Sequence, residues 1–172
     1  MASDPGRADR AATIRIESLA DHPHHVSTVA RWRWDEWGLE ADPGGSAEAW
    51  AARLYQHTRD SIPTTFIGLD DGENVVGVVS LTQNDLLIRP DLTPWLASLF
   101  VLPAMRDQGL GAALVRHAEA HAASLLVDQL YLFTDTAEHL YRQLGWQVME
   151  HVVYRGKDET VMVKAIGTNL GP

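Results

Sequence analysis

Arg106, Gly109 and Gly111 are the residues whose types and spacing speak most directly of chemistry. They stand in Arg106-Asp107-Gln108-Gly109-Leu110-Gly111-Ala112, just after Trp95–Val101, an apolar run of strand length. Pro103 closes that run because it has no N–H to give a ladder. From Leu110 the spacing turns helical, with Leu110, Leu114, Ala118, Ala122 and Leu125 on one face and Arg116, Glu119 and Ala123 on the other. The first amides of a helix have no intrahelical partner and carry partial positive charge. Glycines at the joint let a ligand's oxygens approach that backbone, and Arg106 adds a fixed cation, so the stretch predicts a cradle for a diphosphate. No G-x-x-x-x-G-K-[ST] is present, and no G-x-G-x-x-G follows the first strand.

Other reactive combinations are weaker. The chain has no cysteine, which excludes disulfides, thiolate metal sites and a cysteine nucleophile. His117 and His121 stand four apart, a spacing that can bind zinc, but no third ligand or His-Glu-x-x-His pattern accompanies them. These two, and the cluster His22, His24 and His25, are expected to be surface histidines, and no metal is expected. No G-x-S-x-G elbow occurs.

Arg106–Ala112 resembles the R/Q-x-x-G-x-G/A signature of the GNAT N-acetyltransferase superfamily, and Ala137–Trp146 (AEHLYRQLGW) resembles that family's second signature, A-x-x-L/F-Y-x-x-L-G-F/W. The similarity extends from about Ile14 to Ile166. It implies an α/β (α+β) fold: a twisted, mixed, mostly antiparallel sheet flanked by helices, with the fourth and fifth strands splayed apart. It also implies that acetyl-CoA is the cosubstrate. Leu99, Phe100 and Val101 would then lie along the pantetheine arm, which carries two amides and can dock like an added strand. Arg106 and the amides of Asp107, Gln108, Gly109, Leu110, Gly111 and Ala112 would face the pyrophosphate. Tyr141 falls on the family's helix tyrosine, the general acid toward the departing thiolate; a phenol with a pKa near about 10 can donate to a thiolate whose conjugate acid lies near about 8.5. Thr134 stands where many members have an Asn that touches the cofactor, a departure from the pattern.

The acceptor must lose a proton before attack, which for a lysine-like amine at pH 7 costs roughly 4–5 kcal/mol. Among the carboxylates, Glu36 is ranked first as base, since beside Trp34 and Trp37 it would also attract a cation. Asp35, Asp135 and Ser98 (through water) are the other candidates. At least two of Trp32, Trp34, Trp37 and Trp50 are expected to be helix–sheet core. The resemblance thus implies transfer of an acetyl group to a primary amine by direct attack in a ternary complex, with a small-molecule acceptor. A peptide N-terminus is the alternative acceptor, and a non-catalytic acyl-CoA-binding module is the alternative from another class. A closed acidic pocket would favour the first, and a narrow groove lined with peptide-binding groups the second. A homodimer is compatible with the resemblance.

The elements that must position these groups read as follows. Thr13–Ser18 alternates as a first strand, and a helix runs from Pro23 to about Trp37, ended by Gly38. A second helix covers about Ser46–His57. Thr64–Leu69 and Val75–Leu81 form a hairpin across Asp70-Asp71-Gly72-Glu73-Asn74. Gln83–Pro94 is loop, with Leu86-Leu87-Ile88 packing inward. After the signature stretch come a strand at Gln129–Thr134, a short helix at Ala137–Leu144 stopped by Gly145, and a hairpin of Gln147–Tyr154 and Thr160–Ile166 turning at Gly156-Lys157-Asp158.

Residues 1–12 read as a flexible tail and 13–168 as a single domain. A chain of 172 residues, 45% hydrophobic and 22% charged, is long enough for a sizeable core. No apolar run reaches the roughly 18–20 residues of a membrane span, and the N-terminus lacks a signal-peptide core, so a cytoplasmic protein with no membrane partner is expected. The net charge of −9 argues against nucleic acid and suits a cationic acceptor.

Overall fold

The computed structural model describes residues 13–167; the tail expected at 1–12 lies outside the described residues. Seven strands form one sheet: β1 (Arg15–Ser18), β2 (Thr64–Leu69), β3 (Val75–Thr82), β4 (Trp95–Val101), β5 (Gln129–Thr134), β6 (Gln147–Tyr154) and β7 (Lys157–Ala165). Their order is β1-β2-β3-β4-β5-β7-β6. Every neighbouring pair is antiparallel except β4–β5, which is parallel. The mixed, mostly antiparallel sheet expected from the sequence is therefore present.

Both faces of the central strands are covered, so β2 and β3 are buried along almost their whole length rather than in alternation. Helix α1 (Val26–Arg33) and helix α3 (Ala47–Leu54) cover one face, with Val26, Val29, Ala30 and Leu54 against Ile67, Leu69, Val75 and Val78. The short helix α2 (Leu39–Ala41) lies between them in the chain. Helix α4 (Leu110–Ser124) covers the other face, seating Leu110, Leu114, Val115, Ala118 and Ala122 on Phe66, Val76, Leu81, Leu96 and Leu130. Phe66 and Ile67, adjacent in sequence, serve opposite cores because strand side chains alternate. Helix α5 (Glu138–Gln143) follows β5 directly.

Several sequence expectations are corrected. The helix expected to stop at Gly38 passes through it: Trp34–Gly38 is a π-helical turn that continues into α2. Gly38 has ordinary helical φ of −59°, and its role is steric. A Cβ there would lie 2.3 Å from the Trp34 ring, so only glycine lets that indole lie flat on the backbone. None of Trp32, Trp34, Trp37 and Trp50 is fully buried; Trp32 and Trp50 pack at the edge of the core. The fully enclosed indoles are Trp95 and Trp146. Glu119 is not on a solvated face: its carboxylate accepts from Trp146 Nε1 and Lys164 Nζ, each at 2.8 Å. His117 and His121 are half-buried, their rings edge-on to Phe66. The last hairpin turns at Arg155-Gly156 rather than over 156–158, with φ of 51° and 77°, which matches the twist of its strands. Of Leu86-Leu87-Ile88, only Leu86 is buried.

Candidate active site

Strands β4 and β5 meet at Trp95↔Tyr131, where Tyr131 N donates to Pro94 O at 3.1 Å, and then part. Two local features flank the divergence. At the paired end, Trp95 is fully buried and packs on Tyr131 and Phe133, with its Nε1 held by Leu92 O at 2.6 Å. Further along, the β3–β4 register shifts between Val78 and Ser80, leaving a bulge at which Ser98 takes φ of +55°. A bulge bends its strand, and a non-glycine residue in the left-handed region is backbone strain that tends to collect at functional sites.

The gap between the strands opens into a cavity of about 720 Å³. Leu96–Leu99 of β4 and Leu132–Thr134 of β5 form its two sides. Tyr141 of α5 closes the back, and the π-turn contributes Glu36 and Trp37. The β6–β7 turn contributes Tyr154, Arg155 and Lys157. That turn is tied across to α2: Lys157 Nζ lies 2.9 Å from Glu40, and Arg155 Nη2 donates to Ala41 O at 3.2 Å. Five carboxylates line the cavity (Glu36, Glu40, Asp85, Asp135 and Glu159) against three cations (Arg33, Arg155 and Lys157), so its charge balance is acidic.

Tyr141 is 6% exposed, and no hydrogen bond to its hydroxyl occurs among the described residues. Burial pushes its pKa up to about 12, which keeps the phenol protonated at neutral pH. Glu36 is exposed at the cavity wall; Ser98 and Asp135 also line it. Thr134 lines it too, but its hydroxyl oxygen accepts from Ala137 N at 2.9 Å and so shapes the tight link from β5 to α5.

Beyond the far end of β4, the joint before α4 is open. Gly109 occupies the cap position with φ of +83°, where L side chains are strained. An added Cβ would meet nothing within 4 Å. The helical ladder begins with Ala113 N to Gly109 O at 3.0 Å, so the amides of Leu110, Gly111 and Ala112 lie ahead of it. Asp107, at φ of +60°, and Gln108 complete the turn without backbone acceptors for their amides among the described residues. Arg106 is fixed at the side: its Nε donates to Val101 O at 2.9 Å, and its guanidinium lies 5.6 Å from the centre of the Phe100 ring. These groups can take a polyanion at the helix end, while the strand gap can take an extended chain leading inward.

Asp85 is a lining residue that sequence reasoning missed. It sits in the loop after β3, where an aspartate among Asn and Gln reads as solvated, and no spacing signal marks it. In the structure it is half-buried, and burial pushes its pKa up to about 7. Arg33, likewise half-buried, is driven down to about 10 by the same cause. Among the described residues, no group of three or more His, Asp or Glu side chains could hold a metal ion, and no helix is long and apolar enough to cross a membrane.

The sequence model of the Acetyltransferase (GNAT) family matches residues 26–146. No curated protein matches the chain. Among solved structures, a spermidine N-acetyltransferase from Vibrio cholerae, in complex with CoA and spermine, superposes with a TM-score of 0.66 at 18% identity, covering 88% of this chain and 95% of that one. A GNAT-family acetyltransferase from Streptococcus pneumoniae gives 0.67 at 19%, covering 90% and 100%. An aminoglycoside 6′-N-acetyltransferase complexed with coenzyme A gives 0.65 at 18%, covering 88% and 97%. At these identities the likeness is one of fold.

Proposed function

The chain belongs to the GNAT acetyltransferase family, and from that premise we propose that it transfers an acetyl group from acetyl-CoA to the primary amine of a small molecule, by direct attack in a ternary complex. The observation that carries the reading is the parting of β4 from β5 after their single paired position, which leaves one edge of β4 free beside an acidic cavity. That free edge suits a pantetheine arm along Leu99, Phe100 and Val101, through main-chain pairing of the kind an added strand makes. The uncapped turn from Asp107 through Ala112, with Arg106 beside it, suits a pyrophosphate. Acetyl-CoA supplies an activated thioester carbonyl when bound there.

Tyr141 serves as proton donor to the departing sulfur. Its pKa of about 12 lies above that of a free thiol, near about 8.5, so donation looks uphill. The burial that disfavours the phenolate disfavours the thiolate equally, however, so the mismatch narrows inside the site. Thr134 shapes the entry to α5 and touches the cosubstrate at most through its remaining proton. Glu36, beside Trp37 at the wall, attracts the cationic acceptor. The acidic balance of the cavity and its roof of Lys157–Glu40 and Arg155–Ala41 support a compact amine over a peptide chain.

The test is a thermal-shift titration with acetyl-CoA, followed by a panel of polyamines, aminoglycosides and N-terminal peptides assayed by free-thiol release. Stabilisation by acetyl-CoA and thiol release on small amines are the expected results. Release on peptides alone would overturn the choice of acceptor. Binding without release on any amine would leave an acyl-CoA-binding module.

A further inference from the structure

Asp85 is a carboxylate that nothing in the fold explains. It is half-buried and, among the described residues, receives no hydrogen bond; the cations that act on it, Arg33 and Arg155, do so across space. A partly desolvated carboxylate that lines a cleft and has no donor among the described residues is a candidate functional group. Its position is also distinctive. Together with Arg33 and Trp50 it forms the wall shared by the main cavity and a second one of about 170 Å³, which reaches His57, Thr82 and Asn84. One side of Asp85 therefore faces the reaction chamber, and the other faces a separate opening.

We propose that Asp85 is the catalytic base, taking the proton from the acceptor's ammonium in the chamber and releasing it through the second cavity. The proposal rests on the acetyl-transfer reading above. The ammonium proton passes to a carboxylate oxygen of Asp85, and the freed nitrogen lone pair forms the C–N bond. As the C–S bond breaks, Tyr141 protonates the sulfur, and the second N–H proton of the adduct replaces the one Tyr141 gave. Asp85 then discharges its proton to water, so the protein returns to its starting state.

The surroundings match a base to this task. Burial raises Asp85, the negative charge of Glu159 raises it further, and Arg33 and Arg155 pull it down, with a net value of about 7. Against an amine near about 10.4, a carboxylate at about 7 takes a proton about a thousandfold more readily than one near 3.9. Glu36, Glu40, Asp135 and Lys157 line the same chamber from the π-turn, α2, the β5–α5 link and β7. Glu159 is the rival base, since burial and Asp135 also raise it. It lines the chamber but not the second cavity, and it lies among Asp135, Lys157 and Glu40.

Four substitutions in the full chain decide the matter, each read as kcat/KM for the best amine against pH, with acetyl-CoA affinity measured by calorimetry. The wild type should lose activity as pH falls through about 7, where Asp85 becomes protonated. Asp85→Asn should lower kcat/KM by about a hundredfold or more, abolish that limb and leave acetyl-CoA affinity unchanged; Asp85→Glu should restore the limb. Glu159→Gln, which removes a like charge, should move the limb to lower pH. Arg155→Gln, which removes an exposed attractive charge, should move it to higher pH. An Asp85→Asn protein with an intact limb overturns the proposal, as does a limb that disappears in Glu159→Gln and only shifts in Asp85→Asn. A wild type that neither binds acetyl-CoA nor releases thiol overturns the acetyl-transfer reading itself.

Discussion

The two ends of the cleft are built by opposite means. At the α4 end, the groups proposed to meet the cosubstrate are main chain: a glycine cap at positive φ, a turn with free amides and a free strand edge. Among the residues proposed there, Arg106 adds a side chain, held in place by Val101 O. At the other end, what faces the chamber is side chains from the π-turn, the loop after β3, the β5–α5 link and the last hairpin. Main-chain groups cannot be changed by substitution without changing the conformation, so that end suits an invariant part of a ligand. A chamber lined by side chains can be re-cut residue by residue, so it suits a part that varies. Tyr141 stands between the two, on a helix that begins where β5 ends.

The sharpest way to break this comparison is at Gly109. Gly109→Leu should weaken acetyl-CoA binding by about a hundredfold or more, because left-handed φ costs an L residue roughly 1–2 kcal/mol and the new side chain projects into open space before the amides. Unchanged affinity by calorimetry would mean the main-chain end does not hold the pyrophosphate. Tyr141→Phe comes next, with kcat falling about a hundredfold while acetyl-CoA affinity holds, since a general acid is typically worth 10²–10⁴. Because the hydroxyl has no hydrogen-bond partner among the described residues, its loss should leave Tm nearly unchanged, and a large drop in Tm would assign it a structural role. Gly38→Ala probes the chamber without touching its lining. A methyl 2.3 Å from Trp34 must push the indole off the π-turn, so KM for the amine should rise about tenfold, with acetyl-CoA affinity held and roughly 1–3 kcal/mol of stability lost. Glu36→Gln should do least. An exposed charge that only attracts the acceptor should raise its KM a few-fold, and the effect should fade with added salt; a collapse of kcat would make Glu36 the base and displace Asp85.

The α4 end was legible in the sequence because all of it is local. Trp95–Val101, the Pro103 stop and Arg-x-x-Gly-x-Gly followed by helical spacing are one continuous stretch, and cap chemistry depends on neighbours a few residues away. The strand at Gln129–Thr134 and the hairpin of Val75 to Thr82 with Thr64–Leu69 were legible for the same reason. Gly38 was misread because a glycine near a helix end fits a stop, whereas the demand on it comes from an indole four residues earlier folded back over the backbone. The histidines of α4 looked solvated because polar type predicts exposure on average; Phe66, from β2, draws them in. At least two of Trp32, Trp34, Trp37 and Trp50 were expected in the core and all four are only partly covered, since indoles can be half-covered and still packed.

By itself the sequence determined the family, the order of the elements and the joint that suits a diphosphate, because each follows from residues close together in the chain. The tertiary structure alone decided which carboxylates lose water: Glu159 is buried and Asp85 half-buried in the same cavity. An aspartate's basicity is set by what surrounds it. The groups around Asp85 come from positions 33, 155 and 159, which only the closing of the sheet and the folding back of the last hairpin bring together.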